Sequence, residues 1–212
     1  MNAPIGLAIH TTSPDLGLAL GTSESSHHQV WDFGRDLTTY FHETLSEFVV
    51  PHSFQDFAFI AVAKGPGSFT GTRMGMTVAR TIAQQMKIPL FGVSSLGAIA
   101  ATLAPNSDPY LSPMVAVQLA AQRGEVHGGL YTAPFDWTED IDRVLKRETW
   151  DQEVQCIQAN PLTPLVLLDA PVHQGNFVQA ILMIAHQAYA QSARPEWWSV
   201  TPTYGQHPVP GH

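Results

Sequence analysis

FAFIAVAKGPGSFTGTRMGMTVARTIAQQM, Phe57 to Met86, is the stretch around which the chain is organised. It opens on an apolar run, Phe57 to Ala63, with the length and composition of a buried strand. Lys64-Gly65-Pro66-Gly67 then breaks the chain, because glycine permits turns and proline fixes its own φ. Ser68 or Thr70 supplies an N-cap hydroxyl for the free N–H groups of the next turn, and a helix is expected from about Gly71 to Gln85.

That helix has an uneven surface. Met74, Val78, Ile82 and Met86 form one apolar row, and Gly71, Gly75, Ala79 and Ala83 form a row of small residues beside it. Arg73, Arg80 and Lys87 lie on the opposite side with Thr77 and Gln84, and they read as a solvated face. With Met76 included, the non-polar arc spans on the order of 200°, beyond the ~100° stripe that a surface helix needs. The small row leaves room for another helix, from within the chain or from a partner. Gly71, Met74, Gly75, Val78, Ala79, Ile82 and Ala83 are therefore the expected subunit contact, together with part of a helix over Asp36 to Val50.

The loop has some features of a phosphate cradle, since helix N-termini attract anions. It fails the P-loop pattern, because Thr72-Arg73 follows Gly71, and it is only a loose relative of a dinucleotide fingerprint. Gly65, Pro66, Gly67, Ser68, Phe69 and Thr70 are accordingly read as a structural signature loop. No cofactor is expected.

Taken whole, Gly65-Pro-Gly-Ser-Phe-Thr-Gly-x-Arg73, with Gly75 after it and Phe91-Gly-Val-Ser-Ser-Leu96 downstream, resembles the signature of the TsaB (YeaZ) family. The resemblance covers the first 105 or so residues well and the rest patchily. Where the family commonly reads L-A-I-D-T-S in its first strand, this chain reads Leu7-Ala8-Ile9-His10-Thr11-Thr12. Where it often reads D-A-R-R-G-E-V-Y, this chain has Ala120-Ala-Gln-Arg-Gly-Glu-Val-His127; its P-x-Y-x-R appears as Pro202-Thr-Tyr204-Gly-Gln206.

The remaining elements follow from pattern. Ile5 to His10, Leu16 to Leu20 and Val30 to Phe33 read as three strands, and Asp36 caps the helix to about Val50. The buried strand, the central helix, a strand at Leu90 to Val93 and a helix from Ser95 to about Leu103 complete a β-β-β-α-β-α-β-α order. Ala104-Pro-Asn-Ser-Asp-Pro109 is the expected boundary, giving an N-terminal lobe over 1–105 and a smaller one over 106–212. Beyond it, strands are expected at Met114 to Ala120, Val126 to Tyr131, Lys146 to Trp150 and Leu165 to Leu168. Helices are expected near Gln152 to Gln158 and over Phe177 to Tyr189, with an irregular acidic loop before them and an extended tail from Arg194. A meander with helices, followed by a degraded second version, matches the α/β architecture of the actin-like, sugar-kinase and Hsp70 ATPases (ASKHA, RNase H-like). The family resemblance implies the same fold, with a degenerate second lobe.

Composition limits the function classes. The 212 residues carry a formal net charge of −8, which argues against unaided binding of nucleic acid. The lone cysteine, Cys156, excludes an internal disulfide, and neither a signal peptide nor a spanning run of about 20 apolar residues is evident. A soluble, cytoplasmic protein without a membrane partner is expected. His10 stands where an Mg²⁺-binding Asp would be, and imidazole is a poor ligand for that hard cation. His27-His28 falls in a polar stretch read as a loop, and His42-Glu43 lacks the second His of a zinc helix. Ser68 is outside any nucleophile elbow. No catalytic or metal-binding residue is expected.

The resemblance thus implies a non-catalytic subunit for making N6-threonylcarbamoyladenosine at position 37 of tRNA. In such systems TsaD transfers the threonylcarbamoyl group, TsaB pairs with it, and TsaE joins them in a ternary complex with ATP. A homodimer when alone, and contact with tRNA only through the complex, follow from the same resemblance. The competing readings are an ASKHA-type ATPase or kinase, a glycoprotease-like peptidase, and a diverged paralogue that no longer binds TsaD.

Overall fold

The computed structural model describes residues 3–103, 114–132, 141–160 and 164–203. The first half runs β1 (Gly6–His10), β2 (Asp15–Gly21), β3 (Ser26–Asp32), α1 (Leu37–Phe48), β4 (Phe59–Ala63), α2 (Phe69–Met86), β5 (Leu90–Val93) and α3 (Ser95–Leu103). The second runs β6 (Met114–Ala120), β7 (Glu125–Tyr131), β8 (Arg143–Lys146), α4 (Arg147–Gln158), β9 (Leu165–Asp169) and α5 (Val178–Ala190).

Two mixed sheets result. The first has the order β3-β2-β1-β4-β5, with β1 antiparallel to β2 and parallel to β4 and Gly6 opposite Phe59. The second, β8-β7-β6-β9, repeats the scheme: β6 is antiparallel to β7 and parallel to β9. Among the described residues it has no strand beyond β9, so the second unit is the degenerate one.

Period-two alternation sorts the strand side chains into separate cores. Leu7, Ile9, Leu18, Ile60 and Val62 pack with Phe41 and Leu45 of α1 and with Met76, Ala79 and Ala83 of α2. Ala8, Phe59, Ala61 and Phe91 face the other way, into a core shared with α3, α5, Val115 and Val117. Within that core the helices are exchanged: α5 lies on the first sheet, mainly on β1, whereas α3 lies on β6 and β7 of the second. Trp150 and Val154 of α4 cover the far side of the second sheet, over Ala116 and Val126. Burying a side chain such as Phe41, Phe59 or Trp150 contributes about 1.5–3 kcal/mol each, which makes these layers the main stabilising term.

Several local expectations are corrected. Ser68 alone caps α2, its Oγ accepting the Gly71 N–H at 3.2 Å, so the helix starts at Phe69 and includes Thr70. β3 begins at Ser26 and takes in His27 and His28, because an exposed edge strand tolerates polar side chains. Lys146 to Trp150 is not a strand: β8 ends at Lys146 and α4 starts at Arg147, which sets Trp150 and Val154 one turn apart on the covered face. Asp36 occupies the N-cap of α1 without a side-chain hydrogen bond. The expected boundary at Ala104 to Pro109 and most of the acidic loop lie outside the described residues.

Candidate functional site

The signature loop joins β4 to α2 and closes against the turn that follows β1. The Ser68 N–H donates to the Thr12 carbonyl at 2.7 Å, and the Thr11 hydroxyl donates to the Gly71 carbonyl at 2.7 Å. These contacts need glycine. A Cβ on Gly67 would come within 2.1 Å of the Thr12 carbonyl oxygen, and one on Gly71 within 2.0 Å of the Thr11 carbonyl oxygen. A Cβ on Gly75 would meet Thr11 Oγ1 at 2.1 Å.

The small row of α2 is therefore filled by β1 and its turn rather than by a helix. Ala79 and Ala83 continue it as fully buried members of the core. Met74, Val78 and Ile82 sit at the edge of that core, partly exposed. In the loop itself, Gly65 (φ 95°) and Pro66 are buried, while Gly67, Ser68, Phe69 and Thr70 are exposed. The basic side is not uniformly solvated either. Arg73 stacks on the Phe69 ring at 4.7 Å, and Arg80 is half-buried, with its Nη2 donating to the Val200 carbonyl of the C-terminal segment. That segment runs along the first sheet, the Leu90 N–H donating to the Pro195 carbonyl and the Thr203 N–H to that of Lys64.

Beneath the loop lies a buried polar cluster. His10 Nε2 is 3.2 Å from Thr12 Oγ1, which is 2.8 Å from Ser95 Oγ, and His10 Nδ1 has no partner. Burial drives the His10 pKa down to about 4, with nearby Asp15 pulling it partly back. The imidazole is thus neutral at pH 7, fully buried and engaged with Thr12. Together with a Ser68 N–H already taken by Thr12, these residues do not fit the hydrated Mg²⁺ that the wider ATPase fold family holds at this strand end. Among the described residues, no three His, Cys, Asp or Glu side chains are grouped as metal ligands.

Asp15 has a different task. Its carboxylate, 2% exposed, accepts the Gly175 N–H at 2.8 Å, the Gln174 N–H at 3.2 Å and the Ser13 hydroxyl at 2.5 Å. It thus binds the turn that leads into α5 to the start of β2, across some 160 residues of sequence. The sequence reading missed this residue, and nothing local marks it.

Between the sheets opens a cleft of about 730 Å³. Its walls come from the signature loop and the first turn of α2 (Ser68, Phe69, Thr72), from the end of β6 and the turn to β7 (Leu119 to Arg123), and from the loop after β9 (Pro171, Val172, Gln174).

A family model described as "TsaD: tRNA N6-adenosine threonylcarbamoyltransferase" matches residues 33–144, more than half of the chain. Three relatives share the name "tRNA threonylcarbamoyladenosine biosynthesis protein TsaB". The Bacillus subtilis protein is 47% identical over 77 residues, covering 36% of this chain and 31% of that protein. The Buchnera aphidicola (Schizaphis graminum) protein is 33% identical over 79 residues, covering 37% and 36%. The Escherichia coli protein is 30% identical over 114 residues, covering 52% and 48%. The chain belongs to this family, in its TsaB (YeaZ) group.

The chain thus spans between about a third and a half of the length of the TsaB relatives it matches. Over nearly its whole length it shares the fold of YeaZ from Pseudomonas aeruginosa, with a TM-score of 0.67 and 22% identity, covering 94% of this chain and 100% of that one. A second Pseudomonas aeruginosa structure, titled as an uncharacterized protein with similarity to peptidase YEAZ, superposes with a TM-score of 0.70 at 23% identity, covering 96% and 100%. The TsaB signature of this chain is the loop that locks α2 to β1. The close approach of Thr11 and Thr12 accounts for the glycines at positions 67, 71 and 75.

Proposed function

We propose that this chain is a non-catalytic partner subunit in forming N6-threonylcarbamoyladenosine at position 37 of tRNA. It pairs with a TsaD-type transferase and brings a TsaE-type ATPase into a ternary complex with ATP. The observation that carries this reading is the outer shoulder of α2. Met74, Val78 and Ile82 are left partly exposed on a helix fixed from beneath by Gly71, Gly75, Ala79 and Ala83. Of the seven residues expected at the contact, these three present side chains to a partner, next to α1 with its exposed Tyr40. The name carried by the TsaB relatives supports the pathway.

The rest of the proposal follows the same reading. The free protein uses the α1–α2 face as a homodimer and gives it to TsaD in the complex; tRNA is reached only there. The division into lobes at 105/106 and a cytoplasmic setting belong to it too. Among the described residues no helix is long and apolar enough to cross a membrane.

The test is reconstitution with the TsaD and TsaE of the same cell, threonylcarbamoyl-adenylate, ATP and tRNA. The chain is expected to co-purify with TsaD and to be required for multiple turnovers, and to hydrolyse no ATP alone. TsaD that neither binds this chain nor slows on its omission would overturn the proposal.

A further inference from the structure

The two segments that the sequence singles out, Gly65 to Thr70 and Ala120 to His127, lie in different halves of the chain, and a docking subunit has no use for their meeting. Both nevertheless end on the cleft between the sheets. Three observations there point to a ligand. First, the charge is one-sided: in a chain of net charge −8, the described lining residues include Arg123 and no carboxylate. Arg123 is held in the left-handed region at φ 59°, followed by Gly124 at φ 74°, and Ser68 and Phe69 bring the positive end of the 18-residue α2 to the same space.

Second, Gln174 lines the cleft with only 3% of its surface exposed. Its Nε2 donates to the Pro171 carbonyl at 3.0 Å, whereas its Oε1 has no hydrogen-bond partner. A buried acceptor left without a donor is costly, and a ligand donor that reached it would remove that cost. Third, the walls carry apolar side chains that face water without a ligand: Phe69 is 53% exposed and Val172 72%. The volume, about 730 Å³, is in the range of small-molecule sites.

We propose that this cleft binds a small organic anion: a carboxylate or phosphate monoester on an apolar body that also carries a hydrogen-bond donor for Gln174. Arg123 and the first turn of α2 take the anionic group, and Phe69, Leu119 and Val172 take the body. A metal–triphosphate complex is the wrong match, since the described lining has one cation and no carboxylate to hold the metal.

The experiment is calorimetry on the purified chain with 4-hydroxybenzoate, 4-hydroxyphenyl phosphate, inorganic phosphate and the uncharged 4-hydroxybenzamide. One of the two organic anions should bind with Kd of about 1 mM or better, which also says whether the site prefers a carboxylate or a phosphate ester. Inorganic phosphate and the benzamide should each bind about tenfold more weakly, and Arg123→Gln should cost about tenfold or more at an unchanged melting temperature. Phe69→Ala should weaken the organic anion and leave inorganic phosphate unchanged. Arg143→Gln, which removes an exposed arginine paired to Glu153, is the neutral control. The proposal is overturned if neither organic anion binds at about 10 mM. It is equally overturned if the benzamide matches the better-binding organic anion, or if Arg123→Gln leaves that anion's affinity unchanged.

Discussion

Removing the Asp15 carboxylate should loosen α5 from the first sheet at a cost of about 3 kcal/mol. The residue is 2% exposed and accepts two backbone N–H groups, those of Gln174 and Gly175, where the chain turns into α5. Hydrogen bonds to a charged group are worth about 1.5–3 kcal/mol each, and a buried N–H left without an acceptor costs about 1–3 kcal/mol. Asp15→Ala abandons both donors, although Ser13 Oγ, 3.2 Å from the Gln174 N–H, retains part of one. Asp15→Asn is milder, about 2 kcal/mol, because either orientation of the amide sets an NH₂ against one of the donors. For a chain of this size 1 kcal/mol moves the melting temperature by roughly 2–4 °C, so Asp15→Ala should melt roughly 6–12 °C lower. Urea unfolding should give the same loss, while exposed Asp32→Asn should stay within about 0.5 kcal/mol of the parent. A loss below about 1 kcal/mol for Asp15→Ala, or one equal to that of Asp32→Ala, would refute the clamp.

His10 should make stability pH-dependent. Its folded pKa is about 4 against 6.5 unfolded, so the unfolded chain binds the proton first as pH falls. The contribution is intact above about pH 6.5 and shrinks toward pH 4, by about 3 kcal/mol in all; His127 and His186, also lowered by burial, add slope of the same sign. His10→Asn should flatten the urea-derived stability between pH 7 and 4.5, and an unchanged slope would count against the burial. Gly75→Ala should destabilise the fold despite alanine's better helix propensity, because its Cβ meets Thr11 Oγ1. Adding Thr11→Ala should return part of the loss, and strict additivity of the two changes would exclude the contact. Ala79→Arg, at a position with no exposure, should unfold the protein. Val78→Arg should melt normally yet fail to capture TsaD in a pull-down, and normal capture would move the contact elsewhere.

How much of this was legible in the sequence differs from element to element. The apolar run to Ala63, the breakers after it and the Ser68 hydroxyl are local signals, so β4, the loop and α2 fell within two residues of their observed bounds. Spacing showed that something approaches α2 closely at Gly71 and Gly75. It could not show what: the occupant is Thr11, 60 residues away and on a different element. Edge strand β3 was half missed because Ser26-His27-His28-Gln29 carries no apolar alternation when one face meets solvent. Trp150 was placed at the end of a strand, since its helical spacing to Val154 gains meaning only with the second sheet in place. The burial of His10 and the acceptor duty of Asp15 depend on residues 174 and 175 and on Ser95, and no window of sequence contains both ends.

The exchange of α3 and α5 between the two sheets has a consequence for synthesis. When Leu103 leaves the ribosome, the first sheet has α1 and α2 on one side, but Phe59, Ala61 and Phe91 on the other await α5. About 75 further residues separate Leu103 from Val178, and at about 5–20 residues per second this wait lasts roughly 4–15 s. For the first part of that interval, until β6 and β7 are made, α3 likewise projects an apolar face, Leu96, Ile99 and Ala100. The nascent chain therefore carries two unmatched sticky surfaces at first, and the one on the first sheet stays open until α5 arrives. A ribosome stalled between the two halves would display a target for chaperones rather than a finished lobe.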